Sequence, residues 1–303
     1  MLRSLVRGPA ASLFPAAAMA SYYATSHGNA TTRNESSVGF VRQPARAIIA
    51  NPDAFAAKLG RMAADGPSQL LVIADFDYTL TPYHTPTGEH AHSCHGIISG
   101  SGFLGHEFQA KANALFQQFY PIEISPLLTQ DEKEPHMVQW WERSHKIMVD
   151  YGLHAHHIKD AVANADITFR DGFQPLFASL AKANVPTLIF SAGLADVIQA
   201  VMNKNWGASF WTPNVHVISN VMEFDPTTGR LLGFQEKVGD VNMTQGLDGK
   251  EVLRIGFLNA HIEERMAEYL TLYDVVIVND GTLHFAHLVV DLISRQSDDV
   301  AVP

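Results

Sequence analysis

From Asp171 to Ile293 the chain alternates two kinds of apolar pattern, and that alternation restricts the fold more than any other feature. Phe173, Leu176, Phe177 and Leu180 recur at helical spacing, and Pro186 to Phe190 is a short buried-strand run ending at Ser191. A helix followed by a buried strand requires a crossover onto a parallel sheet, because parallel strands cannot be joined by a tight turn. The alternation continues with a helix over Leu194 to Asn205, strands over Val215 to Ser219 and Val252 to Leu258, and a helix from His261 to Leu270. A strand over Val275 to Val278 and a helix around His284 to Ile293 complete it. Met222 to Phe234, interrupted by Asp225-Pro226-Thr227-Thr228-Gly229, reads as a hairpin.

One more strand of this kind lies upstream. Leu70-Leu71-Val72-Ile73-Ala74 is an apolar run ending at Asp75, the pattern of a strand buried on both faces. The chain between it and Pro186 is far longer than an ordinary crossover, which predicts an inserted domain. Phe108, Ala112, Leu115, Phe116 and Phe119 define one amphipathic helix there, and Met137, Trp141, Ile147, Met148 and Tyr151 a second.

The charge balance removes several function classes. Lys+Arg 21 against Asp+Glu 31 gives a formal net charge of -10, without the broad basic surface that nucleic acid or an anionic membrane would need. No nucleic-acid or membrane partner is therefore expected, and the expected form is a monomer. A single cysteine, Cys94, excludes an internal disulfide framework and fits a reducing compartment. Residues 1–34 carry Arg3, Arg7 and Arg33 with no acid before Glu35. That is the make-up of a disordered tail or a mitochondrial transit peptide; Ala18-Met19-Ala20 also offers a secretory cleavage site.

The chemistry is expected at strand ends. Asp75-Phe76-Asp77-Tyr78-Thr79-Leu80-Thr81 begins where a buried strand stops, the edge at which open parallel sheets bind ligands. Two acids two residues apart reach one centre if the chain turns there; the plainer alternative is two solvated acids with Thr79 capping the turn.

Together with Phe190-Ser191-Ala192-Gly193, this segment resembles motifs one and two of the haloacid-dehalogenase superfamily of phosphotransferases. Tyr120-Pro121-Ile122-Glu123-Ile124-Ser125-Pro126, Trp140-Trp141-Glu142-Arg143-Ser144-His145, Ser219-Asn220 with Phe224-Asp225, and Ile255-Gly256-Phe257-Leu258-Asn259 narrow it. Over most of residues 45 to 295 the chain resembles the cytosolic pyrimidine 5'-nucleotidase family (cytosolic 5'-nucleotidase III). The resemblance implies an α/β fold: a Rossmann-like parallel-sheet core over 38–82 and 170–303, with an inserted helical cap over 83–169. Residues 1–37 would be a tail or targeting segment, and the location cytoplasmic.

It also implies roles. Asp75 would attack the phosphorus of a nucleoside 5'-monophosphate and ligate Mg²⁺. Asp77 would protonate the leaving ribose oxygen, then deprotonate water, with its backbone carbonyl on the metal. Ser191 and the Ala192 amide would hold phosphate oxygens, and Glu123 and Ser144 would contact the base. Ser144 also falls on the apolar stripe of its helix, where a hydroxyl needs a partner; a bond back to the helix backbone would serve equally.

The chain departs from the family at one place. Leu232-Gly233-Phe234-Gln235-Glu236-Lys237 runs directly into Val238-Gly239-Asp240-Val241-Asn242-Met243. The family would place there a helix bearing a phosphate-neutralising lysine and a strand ending in a metal-binding Gly-Asp. Against that family pattern one core strand-helix segment of roughly thirty residues is missing, as a skipped exon or a truncated gene model would leave it. Only the second Gly-Asp remains, making Asp240 the remaining candidate metal ligand, and Lys237 the nearest cation. The alternative function is therefore a catalytically impaired nucleotide-binding isoform.

Other clusters point less directly. His90, His92, Cys94 and His95 have zinc-like spacing but no distant half, so a hinge segment is the simpler reading. His154, His156 and His157 read as a solvated face at a helix start. Trp140 and Trp141 are candidates for base stacking, with packing between cap and core the simpler role for at least one.

Overall fold

The computed structural model describes residues 44–125, 127–235 and 250–298. The tail, Lys237 and Asp240 lie outside them. Its strands form two sheets. In the first, β2 (Val72–Ala74), β3 (Thr187–Leu194), β4 (Val215–Phe224) and β5 (Leu231–Gln235) lie in sequence order. The β2–β3 and β3–β4 pairs are parallel, and β4–β5 is the expected hairpin. In the second, β7 (Val275–Val278) lies between β6 (Ile255–Leu258), parallel to it, and β1 (Arg46–Ile49), antiparallel.

Among the described residues no ladder joins β2 to β6. The division falls across the β5–β6 connection, where the family resemblance implies a missing strand-helix unit. This corrects the expectation for β2. It is three residues long and only half-buried, with Leu71 just before it 45% exposed, because β3 is the one strand hydrogen-bonded to it among those described. By contrast β7, paired on both sides, is completely buried.

The strand–helix alternation places α6 (Phe173–Lys182) before β3 and α7 (Ala195–Trp206) after it, with α8 (Ile262–Leu272) and α9 (His284–Asp298) flanking β7. Phe173, Leu176, Phe177 and Leu180 are buried as their spacing predicts. Outside the inserted helices, two elements escaped the sequence reading: β1 and α1 (Pro52–Asp65). Helix α1 buries Phe55, Leu59 and Ala63, but its alanines blur the apolar stripe. The signal it does carry is at its start, where the Asn51 side chain accepts from the Ala54 amide at 3.0 Å and Pro52 opens the first turn. Phe55 packs on Phe285 of α9, so α1 closes one face of the second sheet. Leu70 and Phe257 contact the core clusters of both sheets, a partly apolar joint in place of strand pairing.

Between β2 and β3 come four helices: α2 (Cys94–Gly100), α3 (Gly105–Glu123), α4 (Gln130–Asp150) and α5 (Ala155–Asn164). Helices α3 and α4 are the two amphipathic segments read from the sequence. Thr129 and Glu132 form a reciprocal capping box at the start of α4. Trp140 stacks on Phe119, with ring centroids 6.0 Å apart, so it packs α4 on α3. His154, His156 and His157 do sit at a helix start, with the His154 amide donating to Nδ1 of His157.

Candidate active site

The turn after β2 is built from buried anchors. Phe76 and Leu80, each 1% exposed, insert into the main core. Tyr78 adopts a left-handed φ of 61°, which bends the chain after Asp77. Thr81, not Thr79, closes the turn: its amide donates to the Phe76 carbonyl at 3.2 Å, and its hydroxyl accepts from the Tyr78 amide at 3.0 Å. Asp75 and Asp77 are thereby left half-buried at the strand end.

Asp77 faces the β3 turn. A Cβ added to Gly193 would lie 3.2 Å from Asp77 Oδ2, 3.2 Å from Ser191 Oγ and 3.1 Å from Cys94 Sγ. Ser191 Oγ accepts from the Gly193 amide at 3.1 Å, which curls the segment, and β3 loses register between Phe190 and Leu194. Strand β4 holds this curl from below. The Ser219 hydroxyl donates to the Gly193 carbonyl at 2.8 Å, and the Asn220 amide side chain donates to the Ala192 carbonyl at 2.9 Å. The structure thus brings Asp77 and Ser191 into one neighbourhood, with Ala192 supported beside them.

Asp75 and Glu123 each bear electrostatically on residues around the turn. Burial pushes the Cys94 thiol up, and the nearby Asp77 and Asp75 charges push it further. The Tyr78 phenol is raised by burial, then by Asp77, with Tyr120 and Glu123 adding to it. Glu123 is exposed at the end of α3, yet its charge also bears on Tyr120, whose hydroxyl bonds that of Tyr83. Ser144 is half-buried on α4, beside His145.

The Cys-His segment is packed into its surroundings. The His90 ring packs edge-on against Tyr78 and Tyr83, Cys94 is buried, and His95 Nε2 lies 3.3 Å from His145 Nε2. Among the described residues no group of three or more His, Cys, Asp or Glu is placed to hold a metal, so the zinc spacing has no zinc-site geometry behind it. Magnesium asks for less: one or two carboxylates, a phosphate oxygen and several waters. The hard oxygens of Asp75 and Asp77 suit that demand.

Two functional-looking residues went unread in the sequence. Arg170 and Asp280 form an ion pair with each side chain 1% exposed, directly behind the Asp75–Thr81 turn. Asp280 follows β7 much as Asp75 follows β2, which was the available signal.

Adjacent parallel strands bearing Asp75, Asp77 and Ser191 at their ends, with helices inserted after the first, form a haloacid-dehalogenase-type fold. The crystal structure of cytosolic 5'-nucleotidase IIIB bound to cytidine superposes with a TM-score of 0.73 at 26% identity, covering 83% of this chain and 95% of that one. The family model for pyrimidine 5'-nucleotidase (UMPH-1) matches in two pieces, residues 78–238 and 235–294, which meet at 235–238. The 7-methylguanosine phosphate-specific 5'-nucleotidase of Rattus norvegicus is 31% identical, covering 78% of this chain and 88% of the relative. That of Gallus gallus is 32% identical, covering 78% and 91%. The chain belongs to the pyrimidine 5'-nucleotidase family.

Proposed function

We propose that this chain is a Mg²⁺-dependent 5'-nucleotidase that hydrolyses nucleoside 5'-monophosphates, pyrimidines preferred, through a phosphoryl group carried on Asp75. The observation that carries the reading is the packing around Gly193 of Ser191 and of Asp77, which lies two residues along the chain from Asp75. Residues 83–169 act as the cap over a core of residues 38–82 and 170–303, and the expected location is cytoplasmic. No helix among the described residues is long and apolar enough to cross a membrane.

The Asp75 carboxylate attacks phosphorus while the ribose O5' departs and takes a proton from Asp77. Water then attacks the acyl phosphate, Asp77 accepts its proton, and inorganic phosphate leaves with Asp75 restored. The Ser191 hydroxyl and Ala192 amide donate to phosphoryl oxygens, a role suited to fixed donors where charge develops. Glu123 and Ser144 hold the base by accepting from and donating to its polar edge. The Asp75 carboxylate and Asp77 carbonyl would hold Mg²⁺, with Asp240 as a further ligand, and the ion would offset phosphoryl charge.

The divided sheet favours a second reading, a nucleotide-binding chain that does not turn over, because β2 carries Asp75 with a single hydrogen-bonded neighbour among the described strands. Phosphate release from CMP, UMP and 7-methyl-GMP, with Mg²⁺ or EDTA and with Asp75→Asn alongside, separates the two. Release that needs Mg²⁺, vanishes in the variant and is fastest with CMP or UMP supports the first. A folded chain that binds CMP in calorimetry without releasing phosphate establishes the second.

A further inference from the structure

The Arg170–Asp280 pair reaches three separate stretches of chain. From Arg170, Nε donates to the Thr79 carbonyl at 2.9 Å, one terminal nitrogen to the Tyr78 carbonyl at 2.7 Å, and the other to the Gly281 carbonyl at 2.8 Å. That last nitrogen is also 3.0 Å from Asp280 Oδ1, and the guanidinium lies 4.2 Å from the Phe257 ring centroid. Asp280 accepts from the Tyr83 amide at 2.7 Å, and from the amide and Nδ1 of His84, each at 2.8 Å. Its own amide donates to Asn259 Oδ1 at 3.0 Å, at the end of β6.

These partners span the division between the sheets. Tyr78 and Thr79 belong to the turn after β2, Tyr83 and His84 to the chain entering the inserted helices, and Asn259, Asp280 and Gly281 to the ends of β6 and β7. Burying an ion pair costs desolvation comparable with its attraction, so what such a pair contributes is fixed direction. The backbone is strained at the same point: Asn279 and Asp280 take successive left-handed φ values of 59° and 54°.

We propose that Arg170 and Asp280 are positioning residues that lock the Asp75–Thr81 turn to the chain at Tyr83–His84 that enters the inserted helices, doing across two sheets that no ladder joins among the described residues what a shared ladder would otherwise do. The proposal rests on Asp75 and Asp77 being the reacting acids. Tyr83 extends the connection outward, since its ring packs on Tyr78 and its hydroxyl meets that of Tyr120 on α3. A shift of the inserted helices is thereby passed to the turn.

The test compares Arg170→Met, Asp280→Asn, the double variant and Arg170→Lys in the full chain, by nucleotidase kinetics, thermal melting and hydrogen exchange. Each single neutral variant leaves a buried partner uncompensated, so Tm falls, and kcat falls about 100-fold with KM nearly unchanged. Arg170→Lys keeps the charge and recovers part of kcat. The double variant removes both buried charges and recovers Tm, but kcat stays low and peptides covering residues 76–84 still exchange fast while those covering 187–194 do not change. A double variant that recovers kcat and slow exchange along with Tm overturns the proposal. If the parent chain releases no phosphate, the hydrolase reading fails by itself, and exchange decides the positioning role: unchanged protection at 76–81 in the double variant rejects it.

Discussion

The backbone amide of Cys94 donates to both carboxylate oxygens of Asp77, at 3.0 and 3.1 Å, so the first residue of α2 is fastened to the turn that follows β2. A carboxylate held this way is favoured in its ionised form, while proton donation to a leaving group needs the protonated one. Under the proposed mechanism the position of α2 therefore bears on the proton transfer assigned to Asp77. Ser93 sets that position: its hydroxyl accepts from the Gly96 amide at 3.2 Å and also bears on the Tyr78 phenol. Ser93→Ala should cost about 1 kcal/mol of stability and shift the acidic limb of a kcat–pH profile. A profile superimposable on the parent's would detach α2 from Asp77 chemistry.

Gly193 is the one residue around which Asp77, Ser191 and Cys94 meet, and each would sit within 3.2 Å of an added Cβ. None of the three has room to retreat, because Ser191 and Cys94 are buried and Asp77 is held by the Cys94 amide. Gly193→Ala should displace Asp77 or Ser191 by a few tenths of an ångström. The expected outcome is a loss of at least about tenfold in kcat/KM, with Tm lowered by no more than a few degrees. Full activity in this variant would mean that the described arrangement is not the reacting one.

The alternation from Asp171 to Ile293 made the parallel strands readable, because runs such as Val275 to Val278 are apolar throughout and buried throughout. Helix α1 was not readable in the same way, since Ala54, Ala56 and Ala57 supply no contrast between a buried and an exposed face. Asp75 and Asp77 announced themselves by lying after an apolar run. Asp280 sits at an equivalent place but its partner Arg170 comes from a distant segment, and pairing across the fold leaves no local trace. The supports from Ser219 and Asn220 to the Gly193 and Ala192 carbonyls are hidden for the same reason. Glu123 was singled out through family resemblance alone, and Ser144 through that resemblance and its place on the apolar stripe of its helix.

His95 and His145 join α2 to α4, and the pair is sensitive to acid. Burial, with the His145 charge adding to it, lowers the His95 pKa to about 3. Between the ordinary imidazole value of about 6.5 and that value, the unfolded chain binds a proton that the folded chain does not. Stability from this group is therefore complete above about pH 6.5 and is lost as pH falls below it, by at most about 1.4 kcal/mol per pH unit. Tm measured from pH 7.5 to 5 should fall more steeply for the parent than for His95→Gln. Parallel curves would remove His95 from the acid response.

On the face of β6 that α8 covers, Gly256 makes room for an aromatic ring. A Cβ there would lie 2.7 to 2.8 Å from three ring atoms of Tyr273, closer than real contacts allow. Tyr273 cannot swing away freely, because it packs with Tyr269 and Met266 over Val276 and Val278, and its phenol is raised by burial with Asp75 among the contributing charges. Gly256→Ala should therefore destabilise the chain by about 1–3 kcal/mol through overpacking. Removing the ring with Tyr273→Ala opens a cavity and is costly by itself, but in the double variant the added methyl occupies part of that space. The two effects should thus fall short of additive by more than about 0.5 kcal/mol in urea melts. Strict additivity would mean that Gly256 and Tyr273 do not share the contact on which this edge of the second sheet depends.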